Sequence, residues 1–435
     1  MNLGVDNAKA LIEQLRIASS SLRAAPSFDL NVLQALSGLR IAGRDQTIAV
    51  ELFNQDNISV ILEYASIQND TQTRLEALRV IANALLLVPS LRADWDLSFA
   101  QQYIHSSIDE EFLVGRVMFL ATVGSKGFKG SITKILQQYV IEHLRQASKR
   151  DISDSSNAAI KETCKLFFNI LLHTTISDEC ELVVSLLVDL VRRLPHKFDL
   201  VSNILACLLK LPVVDGIYFP STSPTSFLEI TFNILEQVMT SLPYTDDSIS
   251  LLLLLILTLL DKTNSESAIT FVKSKVIPSD SERDRPLGQS ASLAAKLLQA
   301  TSDPALSKSK DVIFQLLWHL SEQDVRKFVH NIGLGYAIGF LMTNNVPIPD
   351  DLTGGSVQSP SMTQINPITG QRLDAEDLPS LEDMTDEEKE REAERLFVLF
   401  ESALLTVIRM RQNGVVKVEN PIRTAVESGR FEELH

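Results

Sequence analysis

The chain has 435 residues, 45% of them hydrophobic, enough to fill a large core and to allow more than one domain. Its net charge of −15 argues against nucleic acid or anionic lipid as the main partner, while leaving room for a partner with a basic face. Its three cysteines, Cys164, Cys180 and Cys207, show no CxxC or Cys–His ligand spacing, which argues against a disulfide framework or a zinc site and fits a reducing cytosolic setting.

The N-terminal stretch MNLGVDNAKALIEQLRIA reads as the start of an amphipathic helix and lacks the basic and apolar regions of a signal peptide. Helical periodicity then dominates to about residue 345. In LEALRVIANALLLV, 75–88, apolar residues recur at 75, 78, 81, 85 and 88. No stretch keeps the period-two alternation of a strand with hairpin turns. Polar breaks separate the apolar segments at 66–73, 124–130, 148–157 and 243–248. Helix pairs or triplets recur about every 40 residues, the spacing of armadillo or HEAT units, which stack into a curved solenoid with an extended concave surface. The run LLLLLILTLL, 251–260, is too short to cross a bilayer and reads as a buried helix.

One feature of these helices asks for a physical reason. LFFNILLHT, 166–174, sets Asn169 inside a run of large apolar residues, and Asn83, Asn203 and Asn233 sit in similar surroundings. A buried amide without a partner costs free energy. In an armadillo-type solenoid such an amide lines the groove, where it can both donate to and accept from a bound peptide's backbone. The other reading is a cap on a neighbouring loop or a hydrogen bond within the stack. Asn83 and Asn169 fit the groove reading best.

The character changes near residue 345. Residues 344–383 are rich in Pro, Gly, Ser and Asp and read as an extended segment. A helix is expected from Thr385, which forms a T-x-x-E capping box with Glu388, and an apolar stripe runs from Leu396 to Ile408. Residues 350–400 hold thirteen acids against four bases, either a solvated linker or a surface for a basic partner. The expected organisation is a solenoid over 1–345, an acidic linker over 346–383 and a helical tail over 384–435.

Catalytic patterns do not emerge. There is no GxxxxGK[ST] loop, no HExxH and no GxSxG. GLGYAIG, 333–339, follows a helical pattern and not a strand, so it is no dinucleotide fingerprint. His173 and His319 read as structural. The sequence calls for no cofactor or metal.

Several blocks resemble the synembryn family of chaperones and guanine-nucleotide exchange factors for heterotrimeric G-protein alpha subunits. They are INPITGQ at 365–371, MTDEEKEREAERLFVLF at 384–400, FVHNIGLGYAIGFL at 328–341, KLFFNILLH at 165–173 and LRIAGRD at 39–45. The resemblance implies an all-α fold of armadillo and HEAT-like repeats with a C-terminal extended segment and docking helix. It implies a monomeric, cytoplasmic, non-enzymatic protein, brought to the inner face of the plasma membrane only through its partner. That partner is a GDP-bound or nucleotide-free alpha subunit, held by its C-terminal helix in the concave groove and induced to release GDP. An armadillo-type peptide-binding adaptor or transport receptor without exchange activity is the alternative.

The resemblance also implies site residues. Arg40 and Arg44, four apart and expected on one helical face, match arginines that meet the alpha subunit's C-terminus, unless they form surface ion pairs. Asn83 and Asn169 match groove asparagines. Arg116 and Phe119, in FLVGRVMFLAT, match a block near the groove, where plain core packing is the alternative. DDLTGGSVQSPSMTQ lacks the acidic serine and threonine clusters that the family often carries after its repeats. Thr385 has an acidic context for a kinase, with a helix N-cap as its other role. SALLTVIRMRQN, 402–413, is longer than the family's link at that point.

Overall fold

The computed structural model describes residues 4–22, 29–66, 68–93, 95–176, 179–240, 245–263, 265–349, 365–366 and 369–375. The chain divides into two compact units, Met1–Leu373 and Asp374–His435. Only Asp374 and Ala375 of the second unit are described, so Thr385, the stripe from Leu396 to Ile408 and the segment 402–413 lie outside the described residues.

The fold is all-α. The first unit holds α1 (Val5–Leu22), α2 (Leu30–Ala42), α3 (Gln46–Leu52), α4 (Gln55–Tyr64), α5 (Thr71–Leu87) and α6 (Ile108–Thr122). It continues with α7 (Gly130–Lys149), α8 (Asp154–Leu171), α9 (Cys180–Arg193), α10 (Phe198–Leu208), α11 (Asp215–Tyr218) and α12 (Ser226–Thr240). The last six are α13 (Asp246–Lys262), α14 (Glu266–Val276), α15 (Leu293–Ala300), α16 (Ser307–Leu320), α17 (Val325–Ile332) and α18 (Leu334–Thr343). The described residues form no β-strand, only an isolated antiparallel bridge between Ile365 and Arg372.

Helices start in the polar breaks read from the sequence, and three of the four breaks, at 66–73, 148–157 and 243–248, supply a side-chain cap for free N-terminal amides. Asp70 accepts from the Thr73 amide ahead of α5, and Ser153 accepts from Ser156 ahead of α8. Ser107 and Glu110 form a reciprocal capping box ahead of α6. At α16 the cap comes from another helix. Asp246, in the first turn of α13, accepts from the Lys308 and Ser309 amides at 2.9 and 2.8 Å. Burial pushes the Asp246 carboxyl up, but these bonds and the Ser309 hydroxyl outweigh it and hold the carboxyl below its usual range.

One row of helices packs in sequence: α2 against α5, α5 against α6, α6 against α8, α8 against α10, α10 against α13 and α13 against α16. Helices α6 and α8 run the same way, since Thr163 lies by Glu111 and Asn169 by Thr122. A second set covers this row: α1 touches α4, α7 touches α9, and α4, α7, α9 and α12 each pack on their neighbours α5, α8, α10 and α13. Buried tyrosines tie segments of the covering set together. Tyr64 donates to the Leu15 carbonyl at 2.6 Å, and Tyr103 donates to the Ala65 carbonyl. Burial pushes both phenols well above their ordinary pKa, so they stay neutral donors.

The apolar run at 251–260 lies in α13, which buries Leu252, Leu253, Leu255, Ile256, Leu259 and Leu260. Each such side chain contributes about 1.5–3 kcal/mol as an upper figure. No described helix is long and apolar enough to cross a membrane.

Part of the segment read as a linker belongs to the first unit. Residues 365–366 and 369–373 lie against the loop at 280–287. The Leu287 amide donates to the Thr369 carbonyl at 3.1 Å, and the Arg372 amide donates to the Arg283 carbonyl at 2.7 Å. The Arg283 side chain, 3% exposed, donates to the carbonyls of Gly370 and Asn331, both at 3.2 Å. Gly370 takes φ +70°, and a Cβ there would strike the Leu287 side chain at 2.4 Å. Replacing Arg283 with Ala leaves two carbonyls without their buried donor. The expected cost is about 2–4 kcal/mol in chemical denaturation. Limited proteolysis should then cut within 365–373 faster than in the parent protein, and an unchanged cleavage rate would remove Arg283 from this role.

Candidate functional site

The row built by α2, α5, α6 and α8 is held by buried carboxylates, each shared between consecutive helices. Glu76, Glu110, Glu111 and Glu162 are 6%, 4%, 1% and 3% exposed. Arg40 on α2 donates from Nε to Glu76 on α5 at 2.5 Å, and Arg79 holds the other Glu76 oxygen at 2.8 Å. Arg74 on α5 donates to Glu110 on α6 at 2.5 Å. Glu111 meets Arg150 at 2.5 Å, the His143 ring at 3.4 Å and the Thr163 hydroxyl at 3.5 Å. Glu162 on α8 meets Lys165 at 2.8 Å and Arg116 on α6 at 4.0 Å.

Burial raises the cost of ionising Glu76, but hydrogen bonds from Arg40 and Arg79, with their charges, outweigh it and lower its pKa. Glu110 is lowered in the same way, against its burial, by the Ser107 amide and by Arg74.

These pairs explain the buried amides. Asn83 donates from Nδ2 to the Arg40 carbonyl at 3.2 Å. That carbonyl belongs to the last turn of α2, where backbone acceptors have no intrahelical partner. Asn169 donates to the Phe119 carbonyl at 3.4 Å and the Thr122 hydroxyl at 3.0 Å, in the last turn of α6. Each amide caps the helix before it in the row, so the stack uses its donor side. Neither Oδ1 has a partner among the described residues, and both side chains are half-buried.

A second regularity follows. Glu76, Arg79, Asn83 and Leu86 are spaced at three, seven and ten residues along one face of α5. Glu162, Lys165, Asn169 and Leu172 repeat that spacing along α8 and its C-cap. Leu86 and Leu172 are exposed, as are Ile41 at the end of α2 and Val123 at the end of α6. Between α5 and α8, α6 presents Arg116 and Phe119, with Lys165 Nζ lying 5.5 Å from the Phe119 ring centre. Such a face offers cations at one end, free amide acceptors in the middle and aliphatic side chains at the other. It opens into a cavity of about 600 Å³ over α6, α8 and α10, lined by Phe112, Arg116, Lys161, Lys165, Lys197 and Phe198 among others.

The structure therefore brings together Arg40, Asn83, Arg116, Phe119 and Asn169. It does not put Arg44 on helix α2, as a shared helical face with Arg40 requires. Helix α2 ends at Ala42, and Arg44 sits exposed in the following turn. The physical cause is Gly43, where a Cβ would strike the Phe53 ring at 2.8 Å, so the chain turns to pack α3 closely. Asn203 and Asn233 leave the site. Asn203 donates to the Asp199 carbonyl of its own helix at 2.7 Å, and Asn233 is exposed on α12.

The reading from sequence missed Glu76, Arg79, Glu162 and Lys165. Their signal was the acid and cation placed seven and four residues before each asparagine, which only the pairing of α5 with α8 makes visible. His173 packs edge-on to Phe128 at 5.6 Å. Among the described residues no group of three or more His, Cys, Asp or Glu is placed to hold a metal ion.

These features define an all-α protein of consecutively packed helices that presents a recurring polar and aliphatic face. The chain belongs to the family of the guanine nucleotide exchange factor synembryn, whose sequence model matches residues 35–430. It is also similar to a synembryn-like chaperone of Schizosaccharomyces pombe, with 28% identity over 215 residues. That match covers 46% of this chain and 37% of the yeast protein, so the chain spans just over a third of the length of this curated relative.

The Glu76 pairs give a pH-dependent expectation. A carboxyl lowered on folding stabilises the protein above its unfolded pKa, and the stabilisation is lost as pH falls through the folded value. Replacing Glu76 with Gln should cost about 1–3 kcal/mol near pH 7. The gap between parent and variant should shrink as pH drops through the carboxylate range. Urea denaturation at a series of pH values reads this out, and a gap independent of pH would show that the charge pair contributes nothing.

Proposed function

We propose that this protein is a chaperone and guanine-nucleotide exchange factor for heterotrimeric G-protein alpha subunits. Its helices form an armadillo or HEAT-like solenoid, and the row from α2 to α10 is the groove that receives the subunit's C-terminal helix. The observation that carries this reading is the matched face on α5 and α8, in a chain of the synembryn family.

The chemistry suits an amphipathic helix that ends in a carboxylate. Arg79, Arg116 and Lys165 supply cations for the terminal carboxylate or acidic side chains. The free Oδ1 atoms of Asn83 and Asn169 accept from amides that the helix end leaves unpaired. Leu86, Val123 and Leu172 cover the apolar side of the bound helix, as in other helix-in-groove recognition. Binding that extracts this helix from its place in the alpha subunit loosens the subunit's hold on GDP. The same contact shields the helix in a nascent or nucleotide-free subunit, so one groove serves both activities. The partner recruits the protein to the inner face of the plasma membrane, and Thr385 in the tail is a candidate phosphorylation site.

Arg40 is a poor residue for testing this reading, because it holds Glu76 and its loss disturbs the row. Arg79 is 45% exposed at its side chain and Lys165 is 27% exposed, and Glu76 and Glu162 keep Arg40 and Arg116 as partners when they are neutralised. Replacing both with Gln, with the unfolding curve compared in parallel, should weaken binding of a peptide from the alpha subunit's C-terminus at least tenfold, about 1.4 kcal/mol or more. The same variant should slow GDP release from the intact subunit toward its unassisted rate. Parent protein that neither accelerates release nor assists folding of the subunit in cell-free translation would overturn the proposal.

A further inference from the structure

The open face of the row continues past its cations. On α6, Phe112 lies one turn before Arg116 and shares a side with Arg116, Phe119 and Val123, at spacings of four, seven and eleven residues. On α8, Ala158 lies one turn before Glu162 and shares a side with Glu162, Lys165, Asn169 and Leu172. Both extensions end in the cavity of about 600 Å³, which the start of α10 completes with Phe198 and Leu200. The cavity wall is apolar for the greater part. The Phe112 and Phe198 side chains are half-buried, packed on the core and lining the cavity.

Two reciprocal ion pairs brace the cavity between α8 and α10. Lys161 on α8 meets Asp199 on α10 at 2.5 Å, and Lys197, ahead of α10, meets Asp154 at the start of α8 at 3.5 Å. The third carboxylate of the lining, Glu162, is shared by Lys165 and Arg116. All three acids are therefore engaged, and the cations Arg116, Lys161, Lys165 and Lys197 outnumber them. The cavity is locally positive in a chain whose net charge is −15.

These features set the chemistry of an occupant. Covering carbon walls that are otherwise left to water is favourable. A basic side chain is repelled by the cations. An acidic one meets them but leaves Phe112 and Phe198 uncovered. An aromatic ring satisfies both properties: it packs on the two phenylalanines, and its electron-rich face attracts the surrounding ammonium and guanidinium groups. Lys165 already makes such a contact with Phe119 on the same face.

We propose that this cavity takes one aromatic side chain of the alpha subunit's C-terminal helix, with Phe112, Ala158 and Phe198 setting specificity for it. The site deepens the alpha-subunit reading and rests on it. With the bound helix placing carboxylates at Arg116 and Lys165, a side chain one turn away reaches the cavity.

Peptides of the alpha subunit's C-terminal helix, with each aromatic residue replaced by alanine in turn, test the site by calorimetry on the full chain. One replacement should weaken binding about tenfold or more. Ala158 is half-buried, and Ala158→Trp fills the cavity from the open side of α8. This variant should bind the unaltered peptide about tenfold more weakly than the parent protein does, yet bind that alanine peptide within about twofold of the parent. Equal affinity for the alanine peptide excludes general damage to the groove. The proposal is overturned if no aromatic replacement matters, if A158W binds the unaltered peptide as tightly as the parent, or if it weakens every peptide alike. In each of these cases the groove reading stands or falls separately, on the Arg79 and Lys165 variant. If no peptide binds the parent protein, both are overturned.

Discussion

Everything in the first half of this molecule depends on one arrangement, a buried carboxylate held by a cation from the neighbouring helix. Glu76 joins α2 to α5, Glu110 joins α5 to α6, and Glu162 joins α6 to α8. A buried ion pair adds little net stability compared with an apolar contact, but breaking one is costly because a charge is left unpaired in the interior. The pairs therefore act on register. A helix that slipped by one residue would strand its carboxylate, whereas a slipped leucine contact could repack. Once the register is set, Asn83 and Asn169 fall opposite the carbonyls at the ends of α2 and α6.

That register also fixes what faces outward. Arg79 and Lys165 come one turn after the buried acids, and Leu86 and Leu172 come one turn after the asparagines. In the proposed function, structural pairing and partner recognition share the same helical faces. The cation that neutralises Glu76 or Glu162 from the open side is also the cation a bound carboxylate would meet. Past α8 the row changes character. Helices α10 and α13 join it mainly through leucine, isoleucine and valine, and Cys207 donates from Sγ to the Cys164 carbonyl at 3.2 Å.

Much of this was legible in the sequence. Period-3.6 apolar spacing located the helices, and most of the polar breaks located their caps, because both signals depend on local geometry alone. The asparagines stood out as costly residues in need of partners, and the hydrogen bond within the stack is the one the structure shows. Their donors stay within the stack while their acceptors remain open. What the sequence could not display was pairing between residues roughly 40 apart. Arg40 with Glu76, or Arg116 with Glu162, joins different helices, and nothing local marks the match. Arg44 falls beyond α2 for a local reason. Gly43 reads as a tolerated helical residue until the Phe53 ring is seen packed against it. The contacts of Arg283 and Leu287 with Thr369, Gly370 and Arg372 were also hidden, since INPITGQ looks like linker by composition.

The central claim is that the face of α5, α6 and α8 receives an alpha subunit through that subunit's C-terminal helix. Hydrogen–deuterium exchange on the full chain, alone and with a GDP-bound alpha subunit, tests it most directly. The account predicts slowed exchange in the C-terminal halves of α5 and α8, around Asn83 and Asn169. That protection should be lost when the subunit lacks its last helix. Strong protection confined to other helices, with α5 and α8 unchanged, would contradict it.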